Sequence, residues 1–170
     1  SGITTQAKFL RSMSKLNSTC TMPMMRDMLT QKSNVDFSKG WKNPNPIEFM
    51  QVAGATYERG SLHMFAADLE IRRHTKGARG LTDVIRYLMD EYWRKGKGYG
   101  EDELPSIFSK VAGADMEGFF KAHINGKALV DLEVFLKPFG LTLKATSDSA
   151  SRFEEVADAT PEQISLRESI

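Results

Sequence analysis

Along most of this chain apolar residues return every three or four positions, the period of a helix buried on one side. The strongest stretch is TYERGSLHMFAADLEIRRH, residues 56–74. Leu62, Phe65, Ala66 and Leu69 fall at i, i+3, i+4 and i+7, and Met64 and Ile71 widen the stripe. A stripe that wide predicts a helix wedged between neighbours, not one laid on a surface. Its second half sets acids before bases: Asp68 with Arg72, and Glu70 with Arg73 and His74. Such pairs contribute roughly 0.2–0.5 kcal/mol each. The three cations also stand at the negative end of the helix dipole. Gly60 is the odd residue, because Gly costs about 1 kcal/mol against Ala inside a helix. Its presence predicts another backbone approaching closely there.

The same pattern organises the rest. Thr4 or Thr5 caps a first helix through about Leu16, with Phe9, Leu10, Met13 and Leu16 inward and Asn17-Ser18-Thr19 at its end. Pro23 starts a short helix. Residues 31–46 (QKSNVDFSKGWKNPNP) read as a loop pinned by Phe37 and Trp41. A loop of that length is either functional or a tolerated surface excursion. Pro44 or Pro46 leads into IEFMQVAGA, and Gly54 is expected to break that segment from the central helix. The cleanest period follows Gly80: Leu81, Val84, Ile85, Leu88, Met89 and Tyr92, with Asp83 in the first turn and Trp93 extending the buried face. Residues 95–100, KGKGYG, stop it.

Three shorter helices follow. Residues 101–111 bury Leu104, Ile107, Phe108 and Val111; Pro105 means a late start or a kink, and Gly113 a C-cap. Asp115 caps a helix carrying Met116, Phe119, Phe120 and Ile124, and Asp131 caps one carrying Leu132, Phe135 and Leu136. Leu141, Thr142 and Leu143 alternate like one short strand. The expected fold is therefore mainly α: an irregular bundle of about seven helices over residues 1–145. Residues 146–170, rich in Ser, Asp, Glu and Ala, read as a polar linker or tail with a possible short helix from the cap at Thr160.

Bulk properties narrow the function. The 170 residues carry a formal charge of +1, so no basic field draws nucleic acid or an anionic membrane. No apolar run approaches the roughly 18 residues of a membrane span, and a soluble chain is expected. Cys20 is the one cysteine and forms no internal disulfide. The opening SGITT lacks the charged and apolar regions of a secretory leader. Ser1-Gly2 reads as a cloning scar, which leaves localisation unknown.

Candidate chemistry is sparse. Cys20, Met22, Met24, Met25 and Met28 read either as soft ligands for Cu(I) or as flexible side chains filling an irregular groove. His63, His74 and His123 form no H-E-x-x-H and no zinc spacing with cysteine. Glu70 and His74, one turn apart, read as two ligands or as a surface pair. No G-x-S-x-G elbow and no phosphate-binding loop is present.

Taken together, TYERGSL, ADLEIRRHT, GLTDVIRYLMDEYWRKGKGYGEDEL, VAGADMEGFFKAHINGK and FGLTL resemble the helical C-terminal part of the catalytic domain of the glycyl aminopeptidase family. These are zinc peptidases of the gluzincin type, often carrying a PDZ module. The likeness spans roughly residues 5–145, and the D-L-E-I-R-R run after Y-E-[KR]-G is its most specific part. It implies one wall of a peptidase cleft. The family's H-E-x-x-H and following glutamate are absent, so the resemblance implies zinc in a parent enzyme and none in this chain, which alone would be inactive. The implied partners are the upstream zinc-binding half and, through it, a peptide substrate. His123 stands where an aromatic is usual. Tyr57 occupies the position of the family's oxyanion-stabilising tyrosine, and Gly60 would let this helix approach the zinc-binding ones. Without the resemblance, Tyr57 reads as a helix-start aromatic packed on the loop. The alternative function is a non-catalytic helical module that binds a protein or peptide.

Overall fold

A computed structural model describes residues 5–39, 45–146 and 151–170. At its centre lies α5, Gly60–Thr75. Leu62, Phe65, Ala66 and Leu69 face one apolar cluster, while Ala67 and Ile71 face a second. The wide stripe thus becomes a wedge between two cores. The acid–base pairs form as spaced: Asp68–Arg72 at 2.7 Å, Glu70–Arg73 at 2.6 Å and Glu70–His74 at 3.2 Å. The helix stops where Lys76 (φ 52°) turns left-handed and the Gly77 amide donates back to the Arg72 carbonyl.

The first core gathers the N-terminal helices. Helix α1, Gln6–Thr21, is capped by Thr5. It runs past the expected end near Leu16 because Ser14 and Ser18 bond the backbone of Ser151, so its polar face is covered too. Phe9 meets Phe65 edge-on at 5.4 Å. Helix α2, Pro23–Leu29, has proline in its first turn. The segment expected to be a loop contains α3, Asn34–Lys39. Its overlooked start signal is Ser33, whose hydroxyl accepts from the Asp36 amide (3.0 Å) and donates to the Asp36 carboxylate (2.8 Å). Phe37 is buried as expected. Trp41 and Pro44 lie outside the described residues. Helix α4, Pro46–Ala53, opens on a capping box of Asn45 and Glu48.

Gly54 does not break the chain. It is right-handed helical, and α4 flows through a π-helical segment, Gly54–Arg59, into α5. A Cβ on Gly54 would stand 3.1 Å from Leu29 Cδ2 and 3.3 Å from Met28 Cε. The crowded glycine is thus Gly54, where side chains of α2 press in, and not Gly60, where the sequence predicts the approach of another backbone. At Gly60 the nearest atom outside its immediate helical backbone is the Ala55 carbonyl oxygen, at 3.4 Å, an ordinary contact.

The second core belongs to α6, Leu81–Glu91, and α7, Leu104–Ala112. The Asp83 carboxylate accepts from the Gly80 amide at 2.9 Å, and Asp68 from the Leu81 amide at 2.5 Å. A Cβ on Gly80 would sit 2.6 Å from that Asp68 oxygen, so a larger residue there would have to displace the Asp68–Arg72 pair. Val84 is buried, but Ile85 and Met89 are exposed and Trp93 is 73% exposed. The buried face of α6 is thus narrower than its periodicity predicts, because α5 and α7 cover only one side. Pro105 sits in the first turn of α7, after a 3₁₀ turn at Glu101–Glu103. The late start holds and no kink is needed. Helix α8, Glu117–Phe119, continues as a second π segment, Phe120–Ile124. Helix α9, Leu132–Leu136, is capped by Asp131.

The C-terminal stretch corrects the linker reading. β1, Leu141–Ala145, pairs antiparallel with β2, Ser151–Glu155, placing Leu143 opposite Phe153. Phe153 stacks on Phe65 at 6.2 Å. Helix α10, Pro161–Glu168, starts from the Thr160–Gln163 box and buries Leu166. Gln163 donates to the Lys137 carbonyl at 2.9 Å, and Arg72 to the Ser169 carbonyl. Polar composition misled here because a few apolar residues, Phe153, Leu166 and Ile170, reach the first core while hydrogen bonds hold the polar remainder.

Candidate functional site

The π segment before α5 carries Tyr57, and Gly60 follows it as the first residue of α5. A π turn spends an extra residue per hydrogen-bonded ring, which rotates the side chains that follow it. Tyr57 on this turn is 71% exposed, whereas Arg59, two residues on, is fully buried. The Tyr57 backbone carbonyl accepts from the Ser61 hydroxyl. Gly60 lines an open groove of about 400 Å³ with Asn34, Ala55, Thr56, Ser61, Met64 and Ile124.

Behind this surface lies a buried polar cluster. Arg59 Nε donates to Asn34 Oδ1 at 2.7 Å, and its Nη1 donates to the carbonyls of Leu29 and of Lys32 (2.9 Å). Its guanidinium lies 5.6 Å from the Phe37 ring centre. Asn34 Nδ2 in turn meets His63 Nδ1 at 3.0 Å. Since Arg59 has only donors, Asn34 must aim its oxygen at Arg59 and its NH₂ at His63. His63 Nδ1 therefore accepts, and its proton sits on Nε2. Arg59 Nη2, His63 Nε2 and His123 Nδ1 are buried without a hydrogen-bond partner. The His63 and His123 rings lie 5.9 Å apart.

The electrostatics follow from burial. Burial, then the charges of Arg59 and His123, push the His63 imidazole down to about 3. Burial lowers His123 as well. Burial also works against the charged form of Arg59. The Cys20 thiol is pushed up to about 12 by burial and by Glu58, against a pull from Arg59. It is a neutral, enclosed thiol at physiological pH.

The metal candidates are placed as follows. Cys20 is fully buried, Met25 and Met28 pack on the first core, and Met24 is 80% exposed. Met25 and Met28 thus fill the groove as flexible side chains do. Glu70 bonds both Arg73 and His74 on the surface of α5. Burial pushes its carboxyl up, but those two partners pull harder and hold it below the usual range. Among the described residues, no group of three or more His, Cys, Asp or Glu side chains is placed to hold a metal ion. No described helix is long and apolar enough to cross a membrane.

Reading the sequence missed Arg59, Asn34 and the buried state of His63. The signal was available: Arg59 and His63 are one turn apart on the edge of the apolar stripe, where a surface pair is not expected. No family model, curated protein or solved structure matches this chain.

Proposed function

We propose that this chain is the C-terminal helical part of the catalytic domain of a zinc aminopeptidase resembling the glycyl aminopeptidases. In the parent enzyme a zinc-activated water would hydrolyse the peptide bond. This part would form one wall of the cleft and present Tyr57 to the oxyanion. The observation that supports this reading is an outward phenol on a turn whose inner side is anchored by Arg59. A phenol stays a hydrogen-bond donor at neutral pH. Aimed at charge that develops only in the transition state, such a donor typically contributes about 10²–10³ in kcat. The open groove beside Gly60 leaves room for an approaching element.

The purified chain should bind no stoichiometric zinc and should cleave no peptide in a chelator-sensitive way. Either activity would refute the reading. The genomic reading frame upstream of Ile3 is the positive arm: an H-E-x-x-H within about a hundred residues is expected, since that spacing supplies both histidines and the base.

A second reading, a helical protein- or peptide-binding module, draws on the exposed Ile47 and Met50 of α4. Sedimentation separates the two, because a concentration-independent monomer argues against a self-associating face.

A further inference from the structure

We propose that Arg59, Asn34 and His63 form an acid-sensitive latch that holds the connection between α2 and α3 against the π turn carrying Tyr57. One side-chain amide serves two masters. Asn34 Oδ1 accepts from Arg59 Nε at 2.7 Å, and Asn34 Nδ2 donates to His63 Nδ1 at 3.0 Å. A proton on His63 Nδ1 would set two donors against each other. Turning the Asn34 amide over relieves His63 but points Nδ2 at Arg59 Nε, another pair of donors. No orientation of this amide satisfies Arg59 and a protonated His63 together.

Charge works the same way. The ionisable groups acting on His63 are Arg59 from the π turn and His123 from the segment after α8, and both are positive when protonated. The carboxylates of the surrounding elements are committed elsewhere. Asp36 of α3 bonds Ser33, and Glu133 of α9 bonds Thr142 and the Leu143 amide. Cys20 of α1 lies near Arg59 as a neutral thiol, and Glu58 acts on that thiol. Nothing in this set offers His63 a counter-charge. The strand of chain that Arg59 grips through the Leu29 and Lys32 carbonyls is short, exposed at Gln31 and Lys32, and followed by a six-residue helix.

Because the buried imidazole resists the proton, protonation follows opening. Opening exposes a histidine of ordinary affinity, so it becomes favoured as pH falls below about 6.5. One proton taken up per opening event makes the open fraction rise about tenfold per pH unit. The latch is independent of the peptidase reading.

Hydrogen exchange on the whole chain between pH 7 and 4, expressed as protection relative to the unstructured rate, is the test. Below about pH 6.5, amides at 34–37 and 54–59 should lose protection about tenfold per pH unit, while those of α7 hold. In His63→Gln, which keeps an acceptor and cannot titrate, the slope should vanish. An equal slope in His63→Gln would overturn the latch. If that variant does not fold, ¹⁵N spectra of the wild-type imidazole decide: the neutral proton on Nε2 supports the latch, and on Nδ1 defeats it.

Discussion

The two ends of α5 are buried by opposite means. Its C-terminal half packs Ala67 and Ile71 against Val84, Ile107, Phe108 and Val111 in an apolar contact, with Arg73 and His74 at the surface and the half-buried Asp68–Arg72 pair flanking it. Its N-terminal end buries a guanidinium and an imidazole, held by one amide and two carbonyls. An apolar contact is forgiving of orientation and insensitive to pH. A buried polar cluster is directional, and each partner removed leaves another group stranded. The first kind of burial sets stability; the second sets the shape of the turn on which Tyr57 stands.

The largest effect should come from the apolar end. Phe108 meets Phe120 edge-on at 4.9 Å within the second core. Phe108→Ala should cost about 3–5 kcal/mol in urea unfolding, the usual range for a buried Phe. The loss should be the same at pH 7 and pH 5. A pH-dependent loss would mean that the two ends are not separate.

Arg59→Met should act locally, and should cost somewhat less overall because water can reach the exposed Lys32 end of the cluster. It strands the Leu29, Lys32 and Asn34 oxygens, at about 1–3 kcal/mol for each that finds no water. Hydrogen exchange should then quicken across residues 30–37 before any change in α6 or α7. If protection falls uniformly, the polar cluster is not a distinct unit.

How much of this contrast could be read from sequence follows the same division. Leu62, Phe65, Ala66, Leu69 and the α7 face were legible because apolar burial repeats with the helix period. The partners of Ser14, Ser18 and Gln163 were not, since a hydroxyl or amide buried by a hydrogen bond looks like any solvated polar residue. The π segment was invisible too: Gly54 resembles a breaker in sequence, and only α2 pressing on it shows why it is glycine. At α6 the period was present but overstated, because periodicity marks an apolar face without telling how much of it a neighbour covers. Tyr57 was singled out through the resemblance, while the cluster beneath it required a knowledge of which polar groups share a hydrogen bond.

A smaller effect separates the ends by pH. The folded imidazole of His63 sits at about 3, below its ordinary 6.5. Between those values the unfolded chain binds the proton and the folded chain does not. The contribution is therefore present above about 6.5 and is lost as pH falls toward 3. Wild-type stability should decline on acidification, and His63→Gln should decline less. Cys20 gives the opposite sign, since burial and Glu58 push its thiol pKa from 9.0 up to about 12. Its contribution is present below 9.0 and is lost as pH rises toward 12, so Cys20→Ala should flatten only the alkaline side.

The smallest effect on stability should be at Tyr57, and it is the most telling for function. The phenol is 71% exposed and its ring stands outside both apolar clusters. Tyr57→Phe should therefore change unfolding free energy by less than about 0.5 kcal/mol, as surface substitutions usually do. A loss of several times that would mean that the hydroxyl holds the turn together, and its outward aim would need no chemical explanation. With stability unchanged, the group is left to act on something outside this chain. On the proposed peptidase reading, the same substitution in a full-length enzyme should then lower kcat about 10²–10³-fold with little change in KM, the signature of a donor used only in the transition state. An equal rise in KM with kcat intact would instead assign Tyr57 to substrate binding along the wall.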